Sequence, residues 1–169
     1  MFEVGDYIIY GSNGVCKVES VGPIKMPGVT KERLFYTLAM IYSNSSKVFT
    51  PVDSDKVIMR TIISPDEAHA LLKDIPTIGT LQMEDERKSE GVYKDAMRTC
   101  ECEEWLKAIK TLYIRKKTRL ADGKKMNVSD EKYLRIAGDS LFGELAISLG
   151  KDKKEVEDYV MEQLEKATE

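Results

Sequence analysis

Along residues 1–62 the apolar positions fall in short β-branched and aromatic runs, broken by turn residues about every ten positions, a pattern that predicts a meander of strands. The first run is Tyr7-Ile8-Ile9-Tyr10, followed by Gly11-Ser12-Asn13-Gly14, where Asn-Gly is expected to supply the positive φ angles of a tight hairpin turn. A second strand should run from Val15 to about Val21, and Pro27-Gly28 marks another turn. In Leu34–Ile41 the residues Leu34, Tyr36, Leu38 and Met40 share one face at period two. Asn44-Ser45-Ser46 turns the chain again. Lys47-Val48-Phe49-Thr50-Pro51 reads as a strand whose proline suits an end or an edge, and Val57-Ile58-Met59-Arg60 can close the set.

Beyond Ile63 the period changes to that of helices. Ser64-Pro65-Asp66-Glu67 combines a cap, a first-turn proline and acids at the positive end of the helix dipole, which predicts a helix to about Asp74. Pro76 to Thr80 reads as a loop. A second helix is expected from about Glu84 to Thr99, with Val92, Ala96, Tyr93 and Met97 towards the inside. A third runs from about Glu103 to Ala121, with Trp105, Ile109, Leu112 and Leu120 at helical spacing and Gly123 as its stop. Ser129-Asp130-Glu131 is expected to cap a fourth, whose apolar side holds Tyr133, Leu134, Ala137, Leu141, Leu145 and Ile147, up to Gly150. A fifth, from about Asp152 to Ala167, places Val156, Tyr159, Val160 and Leu164 on one side. The fold class is therefore α+β by domains: a five-stranded SH3/Tudor-like β-barrel over residues 1–62, then an all-α domain of about five helices over residues 63–169.

At 42% hydrophobic and 33% charged residues the chain has enough apolar surface for real cores. No apolar run reaches the ~18–20 residues of a membrane span, and the N-terminus lacks a basic segment ahead of an apolar one, so a cytoplasmic protein without membrane contact is expected. Cys16, Cys100 and Cys102 are an odd set that reads as reduced thiols. The Cys100-x-Cys102 pair falls short of the four ligands that zinc wants, and His69 is the only histidine, so neither a metal nor a cofactor is expected. His69 has no nucleophile or acid partner in its neighbourhood, and no glycine-rich phosphate loop occurs. The chain is not expected to be an enzyme.

The net charge of −3 hides an asymmetry. Residues 107–125 carry eight basic residues, Lys107, Lys110, Arg115, Lys116, Lys117, Arg119, Lys124 and Lys125, against the single acid Asp122, which leaves about −10 on the rest. Clustered like charges repel unless an anionic partner meets them. Taken alone, the cluster fits nucleic acid, an acidic protein partner or a solvated helix face.

Val4-Gly5-Asp6-Tyr7-Ile8-Ile9-Tyr10 followed by Asn13-Gly14 resembles the opening of the CarD and CdnL bacterial transcription regulators; the transcription-repair coupling factor has a similar barrel. Tyr93-Lys94, then Val128-Ser129, Leu134, Ala137, Leu141 and Glu144-Leu145-Ala146, resembles the helical block of the same family. The resemblance implies that residues 1–62 bind the RNA polymerase β subunit through a sheet edge, supplied by Arg33–Ile41 or Lys47–Pro51. It also implies that the helical domain lies at the upstream fork of the promoter, with lysines and arginines on the phosphate backbone, and modulates open-complex stability. Localisation would then be cytoplasmic and nucleoid-associated through polymerase, and the chain a monomer when bound. Lys25, Arg33 and Lys47 are the nearest counterparts of the family's basic polymerase contacts. Two departures stand out: Ser89 replaces the tryptophan that the family uses as a minor-groove wedge, and Gly11-Ser12-Asn13-Gly14 replaces a proline and histidine. Trp105 sits on the inner stripe of its helix and is expected to be core. An adaptor that meets polymerase and a second protein, without touching DNA, is the alternative.

Overall fold

The computed structural model describes residues 1–43 and 46–169, and among these the chain forms five β-strands followed by five α-helices. It divides into two units, Met1–Ile62 and Ile63–Glu169. The strands are β1 (Tyr7–Tyr10), β2 (Val15–Gly22), β3 (Phe35–Met40), β4 (Lys47–Pro51) and β5 (Met59–Thr61). All pairings are antiparallel, in the order β4-β3-β2-β1-β5. This is the layout of the expected Tudor-like module, and it leaves β4 and β5 as the edge strands. Ile8, Tyr10, Cys16, Val18, Tyr36 and Leu38 form the core of the unit, so the inward alternation of β1, β2 and β3 meets at one place.

The first hairpin departs from the expected turn. Gly11–Asn13 is a single 3-10 turn, and the positive φ angles belong to Gly11 (48°) and Gly14 (72°), not to Asn13. Three residues wind into the turn, and the left-handed conformations fall on the glycine that opens it and the glycine that follows it. The anticipated face of β3 also shifts. Leu34 lies outside the strand and is exposed, whereas Phe35 is buried beside Tyr36 and Leu38. Of the turn expected at Asn44-Ser45-Ser46, the first two residues lie outside the described ones.

The helices are α1 (Pro65–Lys73), α2 (Ser89–Arg98), α3 (Cys102–Ala121), α4 (Val128–Leu149) and α5 (Lys153–Ala167). A full capping box starts α1: Glu67 N–H donates to Ser64 Oγ at 3.1 Å, and Ser64 N–H donates to Glu67 Oε1 at 3.2 Å. The second helix begins later than periodicity suggests, because Asp85 caps a separate 3-10 turn, Glu86–Lys88. The cap of α4 is Asn127, whose Oδ1 accepts the Asp130 N–H at 2.7 Å, and not Ser129. Gly150 ends α4 in the left-handed region.

The helical core forms where Trp105, Leu106, Ile109 and Leu112 of α3 meet the buried side of α4, which includes Ala137, Leu141 and Leu145. Tyr93 of α2 and Tyr133 of α4 pack with Leu112, their ring centroids 5.8 Å apart. Val156, Val160 and Leu164 bury α5, whereas Tyr159, expected on the same side, is exposed. Glu144 is fully buried; its carboxylate accepts the Ile63 N–H at 2.8 Å and the Cys102 thiol at 3.1 Å. Ser148 Oγ donates to the Ile63 carbonyl at 2.7 Å, so both backbone groups of the unit's first residue are held by α4.

Candidate functional site

The basic run of residues 107–125 does not form one surface. Lys110 follows the buried Ile109 and lies one turn beyond Leu106, so its stem is drawn to the edge of the apolar stripe. Only 8% of it is exposed, and its ammonium donates to the carbonyls of Ile78 at 2.6 Å and Ile75 at 3.3 Å, just past the end of α1. A buried ammonium is tolerated there because these loop carbonyls accept its hydrogen bonds. Lys110 therefore departs from the expected phosphate-binding set, being committed inside the unit. Arg115 departs in the same way. Its Nε donates to Asp130 Oδ2 at 3.0 Å, Asp130 is 1% exposed, and Glu86 lies 3.8 Å from the guanidinium. Removing Arg115 would leave a buried carboxylate without its cation. Lys107 is half-buried between Glu104 (3.2 Å) and Glu103 (3.8 Å) on its own helix.

Five members remain at the surface. Lys116 and Lys117 are exposed on the last turns of α3, and Lys124 and Lys125 on the link to α4. Arg119 is half-buried and bends over that link, its Nε donating to the Lys125 carbonyl at 3.0 Å. Lys117 reaches the face of Tyr113 at 5.7 Å and Thr168 Oγ at 3.5 Å. Gly123, at φ 73°, lets the chain reverse after α3 and sets Lys124-Lys125 beside the end of that helix. Sequence reading missed Arg87, which is almost wholly exposed on the 3-10 turn before Ser89. Its signal was a capped turn, Asp85 to Lys88, within what reads as helix. Ser89 itself is half-buried as the first residue of α2, and Trp105 is core, its Nε1 donating to the Met97 carbonyl at 3.4 Å.

In the N-terminal unit the topology separates the two candidate docking segments. β3 is paired on both sides, with β2 and β4, so its backbone is spent. β4 is an open edge. Along it Val48 and Thr50 turn inwards while Phe49 is 52% exposed, an uncommon position for a phenylalanine on an edge strand. Phe49 was missed by sequence reading, although its place between Val48 and Thr50 in a period-two strand carried the signal. Lys47 opens β4 and pairs with Glu19 at 3.1 Å. Arg33 lies by the other end of β4, since Phe35 pairs with Pro51; it reaches Asp53 at 3.6 Å and the Phe35 ring at 5.7 Å. Lys25 is exposed in the link between β2 and β3.

Burial pushes the Cys16 thiol up to about 11 and the Tyr93 hydroxyl up to about 12, the latter opposed in part by the nearby Arg115. The three cysteines are buried, with no disulfide among the described residues. Among the described residues no group of three or more His, Cys, Asp or Glu side chains is placed to hold a metal, and no helix is long and apolar enough to cross a membrane.

A five-stranded antiparallel module with an open edge and an outward aromatic is built as a Tudor-like protein-interaction domain. Residues 2–63 match the family model of the CarD-like/TRCF RID domain, so the N-terminal unit is similar to that domain. The match supports an RNA polymerase-interacting, transcription-related role for this unit. No curated protein matches the chain significantly.

Proposed function

We propose that the chain is a CarD-like regulator of transcription initiation: β4 docks on the polymerase β subunit, and the helical unit brings cations to upstream promoter DNA. The observation that carries the docking half is the family match on a unit whose longer edge strand is open and displays Phe49. An edge offers unpaired backbone groups as a template for a partner strand, and the exposed ring supplies apolar area beside it. Arg33 and Lys47, at the two ends of the strand, provide charge for register.

For the DNA half the support is the surviving set Lys116, Lys117, Arg119, Lys124 and Lys125, gathered by the Gly123 reversal. Arg87 adds a cation near the start of α2. These positions suit phosphates, which fix orientation without reading sequence, and contacts of that kind would modulate the stability of the open complex. Ser89 offers no apolar wedge, so the reading rests on phosphate contacts alone.

The docking claim is tested by pulldown of polymerase with the full chain. Phe49→Ala combined with Lys47→Glu is expected to weaken capture about tenfold, in line with the loss of an interface anchor. Undiminished capture would remove β4 as the docking edge. A second reading, an adaptor whose basic face meets an acidic protein, is favoured by the internal use of Lys107, Lys110 and Arg115 and by Ser89. Promoter footprints of polymerase with and without the protein separate the two, since unchanged upstream protection supports the adaptor.

A further inference from the structure

Between the last turns of α3, the middle of α4 and α5 lies a groove of about 420 Å³, within the range of small-ligand sites. Its floor is apolar, formed by Leu120, Met126, Leu134 and Met161. Leu120 belongs by spacing to the inner stripe of α3, yet 57% of it is exposed, because α3 runs past the core at this end. One rim carries Lys116 and Lys125, two of the five surface cations, with Arg135 nearby. The lining also holds three acids: Glu131 and Asp139 lie one turn either side of Arg135 on α4, Asp139 is met by Lys153 at 3.0 Å, and Glu157 is met by Lys154 at 4.0 Å. The groove thus combines an apolar floor with cations and carboxylate acceptors in its lining.

A duplex presents phosphates to such a rim but keeps its apolar base faces stacked inside. A single strand presents both, a phosphate and, one sugar away, an apolar face whose edges carry N–H donors. Building on the reading that this basic surface meets DNA, we propose that the groove takes an unpaired base of single-stranded DNA. The flanking phosphates lie on Lys116 and Lys125, and the base covers Leu120 and Met161. A plain solvated face needs no concave apolar floor behind its lysines. A purely phosphate-binding face needs none either.

The test is fluorescence anisotropy of the full chain with a labelled single-stranded oligonucleotide and with its duplex, at one fixed salt concentration. Leu120→Gln with Met161→Gln keeps the charge and makes the floor polar. It is expected to weaken single-strand binding about fivefold and to leave duplex binding unchanged, since one base contact is lost. Leu120→Gln alone, at an exposed position, gives the same direction without risk to the core. Lys116→Glu with Lys125→Glu is expected to weaken both substrates. If the charge variant weakens both and the floor variants change neither, the groove proposal is overturned while the DNA surface stands. If neither kind of variant changes binding, the surface itself is overturned.

Discussion

Single side chains in this protein divide by whether their polar ends find partners inside. Lys110 and Arg115 sit in a run that reads as uniformly basic, yet carbonyls past α1 and the buried Asp130 claim them. Burying a charge is tolerable only when it is paired, so these two are committed to internal partners and leave the surface charge to their neighbours. Cys16 shows the same principle for a neutral group. Burial favours the thiol over the thiolate and raises its pKa from 9.0 to about 11. Because the folded value lies above the unfolded one, its share of stability is intact below pH 9 and declines as pH rises towards 11. Urea unfolding at pH 8 and at pH 10.5 is expected to show the wild type losing about 2 kcal/mol more than Cys16→Ala over that interval. Equal losses in the two proteins would show that the thiol stays protonated, or ionises without cost, in both states.

At the scale of elements, turns and caps departed most from expectation while strand and helix bodies departed least. Period-two and helical spacing register many residues at once, so an error at one position does not move the element. A turn hangs on one or two backbone conformations that neighbouring segments select. Gly11 is the clearest case. Its φ is 48°, and a Cβ there would lie 2.7 Å from Val57 Cγ1, with its N–H donating to the Ile58 carbonyl at 2.9 Å. Nothing local announces Val57, which is brought up by the pairing of β1 with β5. Gly11→Ala combines left-handed strain with a clash and is expected to destabilise the N-terminal unit by about 2 kcal/mol. Thermal unfolding measures it, with Ser12→Ala as the control that leaves the midpoint in place.

The whole molecule carries a net charge of −3, yet five cations gather at one end of α3. An acidic protein binds phosphate only where charge is local, within about 10 Å at 0.1 M salt. DNA affinity of the full chain is therefore expected to fall steeply with salt, and Lys116→Glu with Lys117→Glu to flatten the log–log slope by about 2, similarly for unrelated sequences. A slope that the double variant leaves unchanged would show that these lysines meet no phosphate.

The amino-acid order by itself determined the number and type of elements, the change from strands to helices near Ile63, and the burial of Trp105, because each follows from hydrophobic periodicity summed over a segment. It also carried the likeness of the first segment to the CarD-like/TRCF RID domain, through Val4-Gly5-Asp6 and the strand behind it. What only the tertiary structure decided is which groups are spent. Strand order makes β4 an edge and β3 an interior strand, turns Phe49 outwards, and takes Lys110 and Arg115 out of the surface charge. It also hollows a groove beside the remaining lysines. Whether a backbone edge is open or a charge is paired depends on partners that are 15 to 35 residues away in the chain, and those contacts exist only once the segments have packed.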